Sequence, residues 1–137
     1  MRVYLEHANV TVPSIDEAIR FLTAAFPEFS VRGGGKSQKT GRKWVHVGSE
    51  KTYLALNEQS GRRLDSDYEG HGLNHLGFVT NELDSIDERL VAAGYQEDAS
   101  FREEGQYRRR HYYFDNNGME WEFIEYSTAD VSLRNQY

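Results

Sequence analysis

The tripeptide Leu5-Glu6-His7 returns as Leu73-Asn74-His75, and the frame that follows returns with it. With the same shift and no gaps, Ile15-Asp16 falls on Leu83-Asp84, Leu22 on Leu90 and Ala25 on Ala93. Chance does not readily supply a histidine, an aspartate and a leucine matched on one strand–helix frame. A chain of 137 residues can bury one independent core. A repeat of this length therefore implies two small units built to one plan.

The periodicities describe that plan. Val3 to Val12 alternates and is β-branched, so it reads as a strand. Ser14 and Glu17 form a capping box for a helix whose apolar stripe is Ile15, Ala18, Ile19, Leu22 and Ala25 or Phe26, ended by Pro27. A short strand near Phe29 to Arg32 and two more, Lys43–Val47 and Lys51–Leu56, complete the first unit. Leu73–Val79 opens the second. Asn81 is expected to cap a helix along Leu83, Ile86, Leu90 and Val91, with Gly94 at its left-handed end. Tyr95-Gln96 begins a short strand, and Arg110–Phe114 and Glu120–Tyr126 flank the turn Asp115-Asn116-Asn117-Gly118. The expected fold class is α+β, with two tandem βαβββ modules whose curved mixed sheets surround a cavity. Residues 1–137 form a single domain: module one over about 1–60, a linker at 57–72, module two at 73–126 and a polar tail at 127–137. Arg32 to Arg42, with Gly33-Gly34-Gly35, lacks phosphate-loop spacing and reads as a flexible connection.

Composition excludes several classes. The net charge of −6 argues against a nucleic-acid partner. No apolar run is long enough to span a membrane. The start MRVYLEHANVTV has no secretory h-region, and there are no cysteines. The expectation is a cytoplasmic protein without disulfides. The basic runs Arg62-Arg63 and Arg108-Arg109-Arg110 read as solvated loop or strand edge, or else as a site for an anionic group.

His7 and His75 hold equivalent places on equivalent strands, and a duplicated fold turns both imidazoles toward one point. Imidazole is the commonest protein metal ligand. On the last strand, alternation sends Trp121 and Phe123 to the packed face and Glu120, Glu122 and Ile124 to the other. A carboxylate pointing inward wants a cation. Glu122 is preferred to Glu120, which has the right parity but lies nearer the turn; Glu125 shares the packed face and is expected to reach solvent. Opposite Glu122, the first half offers Ala55 (or Leu54 by uninterrupted shift), and neither binds a metal. Three protein ligands leave open positions, as in catalytic sites.

A strand beginning with an apolar residue two before His, a capped helix, and the closing run Asp115-Asn116-Asn117-Gly118-Met119-Glu120-Trp121-Glu122 together resemble the vicinal oxygen chelate superfamily, over about residues 3 to 126. That superfamily holds the glyoxalases, bleomycin-resistance proteins and extradiol dioxygenases. The resemblance implies paired βαβββ modules around a cavity, metal ligands at His7, His75 and Glu122, Ala55 in place of a fourth, and a homodimer. Glyoxalase I supplies four protein ligands, which this chain lacks. Fosfomycin-resistance thiol transferases and extradiol dioxygenases use two His and one Glu, as here.

The expected function is that of an enzyme whose single divalent ion (Zn²⁺, Fe²⁺, Mn²⁺, Co²⁺ or Ni²⁺) chelates neighbouring oxygens of a small substrate. The chemistry would be of isomerase or lyase, thiol-transferase or dioxygenase type. Its alternative is a non-catalytic protein of the bleomycin-resistance type that sequesters a small molecule. Glu120 and Tyr53 are the candidates for a general base. Trp44, Tyr53, Tyr112, Tyr113 and Arg110 are candidate substrate contacts, with core packing the competing role for the aromatics. His46, His71 and His111 read as surface or structural residues.

Overall fold

The computed structural model describes residues 4–61, 68 and 71–136. Val3 and the basic pair Arg62-Arg63 lie outside the described residues. The chain divides into two compact units, Met1–Leu64 and Asp65–Tyr137, so the boundary falls inside the expected linker.

In the first unit the order is β1 (His7–Val12), α1 (Ile15–Ala25), β2 (Ser30–Lys36), β3 (Lys43–Gly48) and β4 (Tyr53–Glu58). The sheet runs β1-β4-β3-β2, with β1 parallel to β4 and the other pairs antiparallel. The Ser14 hydroxyl accepts from Glu17 N at 3.2 Å, and Asp16 and Glu17 sit where the helix dipole favours negative charge. Ile15, Ala18, Phe21, Leu22 and Ala25 are buried; a fully buried side chain such as Phe21 or Leu22 contributes about 1.5–3 kcal/mol. Gly48 is required at the β3–β4 turn, because a Cβ there would lie 2.3 Å from the Thr52 carbonyl oxygen.

The second unit repeats the plan with β5 (His75–Thr80), α2 (Leu83–Ala92), β6 (Glu103–Glu104), β7 (Arg108–Phe114) and β8 (Glu120–Tyr126), followed by a short α3 (Val131–Arg134). Its sheet runs β5-β8-β7-β6, again with only the first pair parallel. Leu83, Ile86 and Leu90 of α2 are buried, as are Tyr113, Trp121 and Phe123 of the sheet. The turn before β8 is tightly tied: Asp115 Oδ1 accepts from Asn117 N and Met119 N, both at 2.9 Å, and Oδ2 accepts from Trp121 Nε1. Anchoring Trp121 to the packed face fixes the parity of β8, and hence where Glu122 points.

The α+β class and the doubled βαβββ plan are as expected; three local expectations are corrected. Gly33-Gly34-Gly35 is not a flexible loop but lies in β2, paired with β3. Glycine leaves no side-chain period to read, yet its backbone pairs as well as any other, and a Cβ at Gly34 would crowd the Trp44 carbonyl at 2.9 Å. Asn81 does not cap α2; Glu82 holds that place without a side-chain cap bond, and Glu125 Oε1 accepts from Leu83 N instead. No strand starts at Tyr95-Gln96: the short strand is β6, with one isolated bridge from Glu97 to Tyr113. The polar tail carries α3, capped by Asp130, and Arg134 lies 4.7 Å over the Tyr126 ring. Strands β1, β4 and β5 also begin two to four residues later than their periodicity suggests, because the period outlasts the ladder of hydrogen bonds.

Candidate functional site

The open face of the second unit is set by sheet register. His75 lies beside Glu120 and Gly77 beside Glu122 across the parallel β5–β8 pair, while Tyr112 of β7 lies beside Glu122 on its other flank. His75 Nε2 is 3.2 Å from Glu122 Oε2, and Glu122 Oε1 accepts from the Tyr112 hydroxyl at 2.8 Å. Arg110 Nη1 is 3.7 Å from the same Oε1. Gly77 makes room for this carboxylate, since a Cβ there would approach Glu122 Oε2 to 3.0 Å. Burial raises the Tyr112 phenol above its ordinary range, and its bond to Glu122 raises it further.

Glu120 is wholly buried. Its Oε2 accepts from the Tyr68 hydroxyl at 2.5 Å, and its buried Oε1 has no hydrogen-bond partner among the described residues. The Tyr68 hydroxyl oxygen is also 3.1 Å from His75 Nδ1. Burial, then the bond to Glu120, raises the Tyr68 phenol. Glu120 is thus enclosed behind His75.

In the first unit His7 belongs to a different setting. Its Nδ1 is 3.0 Å from Glu6 Oε2, and its ring stacks on Tyr53 at 4.8 Å. Tyr53 also meets His46 at 4.8 Å, His46 meets Trp44 at 5.0 Å, and the Arg32 guanidinium lies 4.3 Å from the Tyr53 ring centre. This aromatic ladder borders a hollow of about 340 Å³ lined by Asn9, Trp44, His46, Ala55, Leu56 and Asn57. Within it Asn57 Nδ2 donates to Asn9 Oδ1 at 2.7 Å. Register explains the hollow: His46 stands beside Ala55 as Tyr112 stands beside Glu122. A methyl group thus occupies the place of a carboxylate. His46, which has no histidine partner in the repeat, lines this hollow, and its pairing with Ala55 is what places it there.

Other expectations sort by parity. Tyr112 and Tyr113 are successive on β7, so they cannot share a face. Tyr113 is corrected to the packed side, where its hydroxyl donates to Asp87 Oδ1 at 2.9 Å and its ring packs on Phe123. His111 is wholly buried between Asp87 Oδ2 and Glu104 Oε1, each at 2.7 Å, in a structural role. His71 is exposed. Glu125 does not simply reach solvent: it receives Leu83 N and Arg109 Nη1. Glu58 does the same for Ile15 N at 2.8 Å in the first unit. The run Arg108–Arg110 lies in β7 and is ion-paired, with Arg108 buried and Arg109 and Arg110 partly exposed. Arg108 pairs with Glu103, Arg109 with Asp84, Glu104 and Glu125, and Arg110 with Glu103.

The model of the Glyoxalase/Bleomycin resistance protein/Dioxygenase superfamily matches residues 4–123. The chain belongs to this superfamily. Among solved structures of the same fold, the fosfomycin resistance protein FosX from Listeria monocytogenes, crystallised with Mn(II) and sulfate ion, is 18% identical with a TM-score of 0.69, over 99% of this chain and 100% of that one. A glyoxylase/bleomycin resistance protein/dioxygenase domain from Frankia sp. EAN1pec is 20% identical with a TM-score of 0.75, over 92% and 99% of the two chains. A glyoxalase family protein from Enterococcus faecalis is 17% identical with a TM-score of 0.71, over 89% and 97%. No functionally curated protein matches the sequence.

A glyoxalase-superfamily fold raises the question of a metal. Among the described residues, no group of three or more His, Asp or Glu side chains is closed about a common point. The donor chemistry nevertheless fits a cation. An imidazole nitrogen faces a carboxylate oxygen at 3.2 Å, beside a second buried carboxylate with an unsatisfied oxygen, and unpaired buried polar atoms are costly.

Proposed function

We propose that this protein is a divalent-metal-dependent enzyme of the glyoxalase superfamily, with His7, His75 and Glu122 as the metal ligands. The observation that carries the proposal is the approach of His75 Nε2 to Glu122 Oε2, with Tyr112 and Gly77 arranged around the carboxylate. The Mn(II) in the FosX structure supports a divalent ion for this fold. Zn²⁺, Fe²⁺, Mn²⁺, Co²⁺ and Ni²⁺ all suit two imidazoles and a carboxylate.

When bound, such an ion supplies a Lewis acid that polarises neighbouring oxygens of a small substrate. The chain's own residues do the remaining work. Tyr112 orients the Glu122 carboxylate. In the first unit, the hollow over Ala55 offers an organic ligand the faces of Trp44 and His46, and the Asn9–Asn57 pair offers amide contacts. Of the two candidate bases, Tyr53 shares a strand face with Ala55 and packs its ring against His7 and His46, whereas Glu120 is enclosed and already receives the Tyr68 hydroxyl. Tyr53 is therefore the better placed to exchange a proton with a ligand there. The reaction class is isomerase or lyase, thiol transferase or dioxygenase, and the setting is a cytoplasmic homodimer without nucleic-acid or membrane partners. No helix among the described residues is long and apolar enough to cross a membrane.

Metal analysis of protein purified without chelator tests the reading: near one ion per chain is expected, falling to background in His75→Ala and in Glu122→Ala with the fold retained by circular dichroism. A full complement of metal in either variant rejects the triad. The second reading, a small-molecule sequestering protein of the bleomycin-resistance type, is favoured by the preformed hollow itself. It predicts binding of an aromatic ligand that survives complete removal of metal and is lost in Ala55→Leu.

A further inference from the structure

We infer that the open face of the first sheet is a site for a small aromatic carboxylate, with Arg32 the group that takes its charge. The inference deepens the reading of the hollow over Ala55 as a ligand site and rests on that reading. The two sheets differ by a pair of carboxylates. In the second, His75 lies beside Glu120 and Gly77 beside Glu122; in the first, His7 lies beside Tyr53 and Asn9 beside Ala55. Both acidic positions are thus neutral in the first unit. The hollow of about 340 Å³ has no acidic side chain among its described lining residues, and Asn9 and Asn57 supply neutral amides.

A cation stands where the acids are missing. Strand β2 carries a bulge: Val31 pairs with Val47 and Gly33 with His46, so Arg32 is the extra residue. A bulge re-aims a side chain out of the ordinary alternation. Here the Arg32 guanidinium comes to 4.3 Å from the Tyr53 ring centre. A Cβ at Gly33 would meet nothing within 4 Å, so the space beside Arg32 stays open. Glu6 is turned to His7 Nδ1, and Glu28 and Glu50 border a neighbouring hollow of about 510 Å³ together with Arg32. None of these carboxylates forms an ion pair with Arg32, which has no ionic partner among the described residues. Its donors are therefore free for a carboxylate, which the planar guanidinium matches as a fork. Tyr53 and Ala55 are two residues apart on β4, about 6.5 Å along the strand. A single ring spans that step with its carboxylate toward Arg32 and its face over the Ala55 methyl, against Trp44 and His46.

The test is a titration of the full-length, chelator-treated protein with benzoate and with its neutral isostere benzamide. Binding is followed by the indole N–H signal of Trp44 in nitrogen-15 NMR, told from that of Trp121 by Trp44→Phe. Removing metal excludes a carboxylate held by an ion. Benzoate is expected to bind about tenfold more tightly than benzamide, the difference that one charge-assisted bond supplies. Arg32→Gln is expected to erase that preference and leave the benzamide affinity unchanged, and Ala55→Leu to abolish binding of both. Equal binding of the two ligands, or a benzoate preference that survives Arg32→Gln, overturns the inference but leaves the hollow as a ligand site. If neither ligand binds, the inference falls together with the hollow; benzoate binding restored by Zn²⁺ then leaves the metal reading standing.

Discussion

Glu122 divides its two oxygens between neighbours of opposite kind: Oε1 takes the Tyr112 hydroxyl at 2.8 Å, and Oε2 is turned to His75 Nε2 at 3.2 Å. One oxygen is held and the other is offered. A carboxylate fixed in this way loses little freedom on taking up a cation.

Removing the held contact should therefore cost affinity more than stability. Tyr112→Phe is expected to weaken Zn²⁺ binding by about tenfold while the folded state survives, since the aromatic packing against Phe101 and His75 is kept. Calorimetric titration beside a thermal melt separates the two effects. Unchanged affinity would show that Glu122 needs no such support.

Gly77 offers a sharper steric test. A Cβ at this position would meet Glu122 Oε2 at 3.0 Å and Ile124 Cδ1 at 3.3 Å. Gly77→Ala should displace the carboxylate by a few tenths of an ångström and lower metal retention, and Gly77→Val should abolish retention. Gly48→Ala acts on the fold instead, because its Cβ would overlap backbone at 2.3 Å. Low soluble yield or a sharply lowered melting temperature is expected for that variant alone.

His111 joins β7 to α2 and to β6 by bonds of 2.7 Å to Asp87 and Glu104. Its replacement by alanine leaves a cavity and takes one bond each from Asp87 and Glu104, which keep Tyr113, Arg102 and Arg109 as partners. A loss of about 1.5–3 kcal/mol is expected from removing such a group, readable by urea denaturation. A loss below about 1 kcal/mol would mean that solvent enters and compensates.

Acid should loosen the same region. Bonds from Arg109 and His111 hold the Glu104 carboxyl down at about 2, below the roughly 4.3 of an unfolded glutamate. A depressed carboxyl stabilises the fold fully above its unfolded value, and that contribution disappears as pH falls toward its folded value. The melting temperature should therefore drop between about pH 5 and pH 2, and Glu104→Gln should flatten that slope. Glu104 is partly solvent-exposed, so the slope is expected to be shallow. An identical acid profile in the variant would place the acid sensitivity elsewhere.

Much of this molecule was legible in its sequence because periodicity and duplication are local. The Ser14–Glu17 cap, the apolar stripes of both helices (Val91 apart, which is exposed) and the alternation of Trp121 and Phe123 with Glu120 and Glu122 each follow from spacing along one segment. The matched pair His7 and His75 needed only the repeat. What required the tertiary structure was contact between segments distant in sequence. Glu58 and Glu125 serve as helix-start acceptors because β4 and β8 end beside α1 and α2. Glu120 is locked to Tyr68 across 52 residues, and Tyr113 turned away from the site once Asp87 was found beneath it. The triple glycine joined a sheet because β3 supplied its partners, a choice its own featureless side chains could not announce. Hydrogen bonds between remote groups depend on where the chain returns in space, and spacing along the chain carries no record of that return.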